Sequence, residues 1–118
     1  GGDLFVSFDG TPAADAADWE YALDFGWETR GYEGTQTYSH AAGLYRVTTW
    51  DNSVYHGFTA STPFAMAAGD LVGELADGSA GYDSTAGSYW RIASISLAGL
   101  GVTAADGFNL AAHWTMSC

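Results

Sequence analysis

The chain has 118 residues, enough for one domain, and carries 14 acidic residues against three arginines and no lysine, for a net charge of −11. That balance repels phosphate backbones and anionic membrane surfaces, so nucleic acid and anionic lipid are excluded as expected partners. With no lysine there is no lysine nucleophile or Schiff base, and a 47% hydrophobic, glycine-rich composition is that of a folded domain and not a disordered one.

Many short alternating runs, separated by Gly, Ser, Asp and Asn, predict an all-β fold, a single antiparallel β-sandwich over residues 1–118. Residues 3–9 (DLFVSFD) alternate Leu4, Val6 and Phe8 against Phe5 and Ser7, an opening strand that ends in the turn Asp9-Gly10-Thr11-Pro12. Residues 19–25 (WEYALDF) give a second strand. Trp19, Tyr21, Leu23 and Phe25 are expected on one face, and Glu20, Ala22 and Asp24 on the other. Residues 26–38 read as a long exposed hairpin, or as a loop with a short strand at 35–38. Residues 44–50 give a third strand, and residues 54–59 a fourth that pairs with it. Residues 63–71 (PFAMAAGDL) favour one helical turn, residues 71–75 a short edge strand, and residues 76–87 a loop with four glycines.

Residues 88–118 hold the strongest pattern. Phe108, Leu110, Ala112, Trp114 and Met116 fall on one side of a strand, and the run around Trp90 to Leu97 has apolar residues on both sides. The two runs are expected to be the central strands of the sandwich, with Trp90, Ile95, Leu97, Phe108, Leu110 and Trp114 in its core. No run of roughly 18 apolar residues is present, so no membrane-spanning helix is expected. The chain starts Gly-Gly-Asp without Met, which reads as a processed or partial form of a longer exported precursor. The lone Cys118 then reads either as a buried thiol or as a partner for an intermolecular disulfide.

Catalytic constellations are thin. His40, His56 and His113 show no paired-ligand spacing, and read as ordinary histidines. Glu20 and Asp24 share a strand face and are the best pair for glycoside hydrolysis, which needs two acids roughly 5–10 Å apart across a cleft; a solvated strand face is the plainer reading. No G-x-S-x-G elbow occurs. The expectation is therefore that the protein is not an enzyme. No cofactor is expected, with Ca2+ as the one exception. Asp77 and Asp83 lie in a Gly/Ser-rich loop where carboxylates and free carbonyls suit a hard cation, although both residue types also simply make turns. Five Trp and seven Tyr are many for this length. Trp27 and Tyr32 sit in a polar loop that nothing in the pattern buries, and Trp50 at a strand end is ambiguous. These three are the candidate ligand-binding residues, since pyranose rings stack on exposed aromatic faces.

The order DLFVSFD, WEYALDFG, LYRVTTW, SYWRIASISLAGLG and GFNLAAHW resembles the β-sandwich of family 9 carbohydrate-binding modules and DOMON-like domains, best over Tyr89 to Gly101 and Gly107 to Trp114. The resemblance implies fold more than ligand, because no Met/His axial pair for haem is placed by motif. The ending H-W-T-M-S-C is similar to exosortase-sorted (PEP-CTERM-type) bacterial surface proteins, which implies export and an envelope or biofilm-matrix setting. Together these give the functional expectation: a secreted, non-enzymatic bacterial surface or matrix structural protein. It self-associates into filaments by pairing residues 4–8 with a neighbour's sheet edge. The alternative is a carbohydrate-binding module that holds an extracellular polysaccharide on loop aromatics.

Overall fold

The alternation in the first residues produces a strand that is buried on both faces. The computed structural model describes residues 2–8, 19–30, 37–51, 65–76, 79–100 and 109–116. Strand β1 (Gly2–Ser7) runs antiparallel to β2 (Tyr21–Asp24) on one side. On its other side lies β9 (Ala111–Met116). Next to β2 comes β5 (Gly43–Asp51), and next to β5 the nine-residue β6 (Ala65–Gly73), all antiparallel. The sheet order is β6-β5-β2-β1-β9. Two ribbons accompany it: β3 (Thr29–Arg30) with β4 (Thr37–Tyr38), and β7 (Ala80–Asp83) with β8 (Ser88–Arg91). A 3-10 turn spans Leu97–Leu100, and a lone antiparallel bridge joins Ala76 to Ser94. The fold is all-β with antiparallel sheets. Among the described residues no helix is long and apolar enough to cross a membrane.

Register explains the two buried faces. Phe5, Ala22 and Tyr45 are direct neighbours across β1, β2 and β5, and Leu4, Leu23 and Leu44 form the next row. Successive side chains on a strand point to opposite faces, so the two rows feed two cores. The first joins Phe5, Ala22 and Tyr45 to Trp19 and Met66. The second joins Val6, Leu23, Leu44 and Phe25, with Leu75, Ala93, Ile95 and Leu100 laid across them from the chain around β8. The second layer of the sandwich is thus the β7–β8 ribbon and irregular chain over one face, and it does not close into a second full sheet among the described residues.

Several expectations change. Residues 88–118 are not two paired central strands: β8 has four residues and pairs with β7, while β9 is an edge strand of the large sheet. Trp90 is 44% exposed, Trp114 43% and Leu110 56%, so they do not form the core. Ile95 and Leu97 are half-buried, and Phe108 and Cys118 lie outside the described residues. Apolar residues on both sides of this run mark chain that crosses a sheet face, with Ala93 and Ile95 packed down and Ile92 turned out.

The segment expected to make a helical turn is strand β6, because its backbone pairs along β5; pairing outweighs the modest helix preference of Ala and Met. The expected loop at 76–87 contains β7. The strand expected at 54–59 lies outside the described residues. Trp19 is buried as expected but in the Phe5 core, not beside Leu23 and Phe25.

Candidate functional site

The site begins with a buried acid. Asp24 ends β2 and is 1% exposed. Its Oδ1 accepts a hydrogen bond from the Gly26 backbone N–H at 2.6 Å, and its Oδ2 lies 3.3 Å from His40 Nδ1. Burial pushes the carboxyl above the usual carboxylate range, against the opposing pull of the Gly26 bond and of His40. Gly26 has φ +76°, a left-handed conformation that a side chain disfavours. The Asp24–Gly26 bond and this φ together form a tight turn that brings Phe25 and Trp27 to the Leu23–Leu44 face. Glu20, on the strand face that Asp24 shares, accepts a hydrogen bond from the buried Ser7 Oγ at 3.3 Å. The expectation that Glu20 and Asp24 form a solvated face fails for Asp24, which lies opposite Gly43 on the same face as Ala22 and Tyr45, a face that the sheet buries.

Above Phe25 and Trp27 stands the β7–β8 hairpin. Asp83 Oδ1 accepts from the backbone N–H groups of Thr85 and Ala86, at 2.8 and 3.1 Å, which closes the turn. Tyr82 and Tyr89 are direct cross-strand partners with ring centroids 4.8 Å apart. Opposite Trp90 the strand has Gly81, where an added Cβ would lie 2.7 Å from Trp90 Cζ2. The glycine therefore lets the indole lie flat over the backbone.

Between sheet and hairpin is an open groove of about 800 Å3, lined by Leu4, Phe25, Trp27, Ala80, Gly81, Tyr82, Tyr89, Trp90, Arg91 and Trp114. Phe25 contacts Trp27 at 5.6 Å and Trp114 at 5.8 Å between centroids. Arg91 lays its guanidinium 4.9 Å from the Phe25 centroid and 4.7 Å from that of Trp27. Its Nη2 donates to the Phe25 carbonyl at 3.4 Å, and among the described residues Arg91 is the one charged member of this lining.

Of the residues singled out in the sequence, Trp27 is in the groove. Trp50 is not: it packs edge-on against Phe5, 4.7 Å between centroids, in the other core. Register shifts along β5 near Val47, Thr49 and Trp50 break strict alternation there, which turns the indole to that side. Tyr32 and Asp77 lie outside the described residues. Asp83 is occupied in the hairpin turn, and among the described residues no three His, Cys, Asp or Glu side chains converge as metal ligands would. Sequence reasoning missed Phe25, Tyr82, Tyr89, Trp90, Arg91 and Trp114. A signal was present: Gly-Tyr and Tyr-Trp flank the turn-forming Asp83-Ser84-Thr85-Ala86-Gly87, which is a hairpin pattern.

The chain matches no protein-family model, no curated protein and no solved structure.

Proposed function

We propose that the protein is a non-catalytic, extracellular binding module whose groove holds a polysaccharide. One observation carries this reading: exposed aromatic rings gathered around an open groove of about 800 Å3, with Tyr89 85% exposed at its rim. Rings left in water at the expense of burial are the usual marks of a recognition surface. Indole and phenol faces suit the apolar faces of sugar rings, and the Arg91 guanidinium and the phenolic hydroxyls supply the polar contacts that orient a ligand. The test is binding to a panel of soluble polysaccharides, followed by affinity electrophoresis and calorimetry. The expected result is retention that falls in Trp27→Ala and Trp90→Ala while the fold is kept. No retention of any member would end the reading.

Assembly at a cell surface is a second reading, and the open edges of the large sheet favour it. Among the described residues β6 and β9 each have one hydrogen-bonded strand neighbour. Strand β1 is paired on both sides within the chain, so the edge strands, and not residues 4–8, are the ones placed to add a neighbour's strand. Light scattering across a concentration series tests it; a monomer throughout rejects it.

A further inference from the structure

Among the described residues one cation, Arg91, lines the groove, and it sharpens the class of ligand. In a chain of net charge −11 an arginine is expected to find a carboxylate. Arg91 instead spends its guanidinium on two aromatic rings and a backbone carbonyl, and no carboxylate among the described residues pairs with it. Contact with the Phe25 and Trp27 rings and the bond from Nη2 to the Phe25 oxygen hold the group at the groove. A guanidinium has five N–H donors, so one held there and exposed keeps several for an acceptor in the groove. A planar fork of donors held at the groove matches a carboxylate better than it matches a lone hydroxyl.

Building on the polysaccharide reading, we propose that the groove recognises an acidic sugar, a glycan carrying a uronate-type carboxylate, with Arg91 as the residue that reads the acid. The sugar ring lies against the aromatic lining and its carboxylate meets the guanidinium. The protein's own charge then sets an unusual salt response. At long range its 14 acidic residues repel a polyanion. Salt screens that repulsion, while the short contact at Arg91 is screened less. Binding is expected to strengthen as salt rises from about 0.01 to about 0.15 M, as the screening length falls from about 30 to about 8 Å.

The experiment compares polygalacturonate and alginate with their methyl esters, and adds hydroxyethylcellulose and laminarin as neutral chains. The expected result is that at least one acidic polymer binds about tenfold tighter than its own ester, as a charge-assisted contact predicts. That preference should disappear in Arg91→Gln and be only partly kept in Arg91→Lys, which retains the charge without the planar fork. Esters or neutral chains bound as tightly as the acids would overturn the role of Arg91 and leave the polysaccharide reading standing. No binding of any acidic or neutral chain would overturn both. The acid-against-ester comparison uses the unaltered protein, so it decides the matter even if an Arg91 variant fails to fold.

Discussion

The two faces of the large sheet treat the same residue types in opposite ways. On one, Phe5 is fully buried and its row neighbours Ala22 and Tyr45 close around it with Trp19 and Met66. On the other, the sheet buries Val6, Leu23 and Leu44, but the ribbon above leaves Tyr82, Tyr89 and Trp90 in water, and Trp114 is exposed on the edge strand β9. Aromatic content is similar, so composition does not separate core from groove. Position does. A ring on a central strand with neighbours on both sides has nowhere to go but inward, whereas a ring on a two-stranded ribbon has one neighbour and an open side. The first kind of aromatic holds the fold, and the second is free to meet a ligand.

Substitutions can break this contrast or sharpen it. The largest expected effect is Phe5→Ala, which leaves a cavity in the first core and should cost about 3–5 kcal/mol in urea unfolding. If that loss is under about 1 kcal/mol, the Phe5 face is not the structural one. Next comes Gly81→Val. The new side chain must displace Trp90, so a loss of about 1–3 kcal/mol is expected, together with a change in tryptophan emission. Asp83→Ala removes the acceptor for two turn N–H groups and should cost about 0.5–1.5 kcal/mol, with Tyr82 and Tyr89 loosened in hydrogen-exchange or NMR spectra. Tyr89→Ala should change stability by less than about 0.5 kcal/mol, as befits an exposed ring, yet weaken polysaccharide binding. A Tyr89 variant that unfolds the domain would place this ring in the core after all.

The smallest effect is a pH dependence. The folded-state pKa of Asp24 is raised above its ordinary value of 3.8, so folding takes up a proton between that value and the raised one. Its contribution to stability is therefore full below 3.8 and is lost as pH rises through the folded value. Asp24→Asn should remove that slope, and at acid pH the native protein should gain stability relative to the variant. Unfolding midpoints measured across the acid range for both proteins check this; parallel curves would mean that Asp24 does not titrate differently on folding.

Much of the sheet was legible in the residues. The alternation of residues 3–9, 19–25 and 44–50 predicted β1, β2 and β5, because a strand with direct neighbours must sort its side chains by face. Strand β6 was legible only at its end, where residues 71–73 fall in the edge strand expected at 71–75. Ala65, Met66, Ala67 and Ala68 favour a helix locally, and only the partner β5 makes them a strand. The site was legible at Trp27 alone. Trp90 and Trp114 have the pattern of core residues, and no local rule says that one will sit on a ribbon and the other on the edge of a sheet.

By itself the sequence determined an antiparallel all-β chain, its acidic charge, and the central strands, since all of these follow from composition and from a two-residue period that acts along the chain. Tertiary structure alone decided which aromatics are buried, that Asp24 is enclosed beside His40, and that Arg91 meets Phe25 across 66 residues of sequence. Burial depends on how many neighbours a side chain acquires from elsewhere, and such contacts leave no period in the sequence to read.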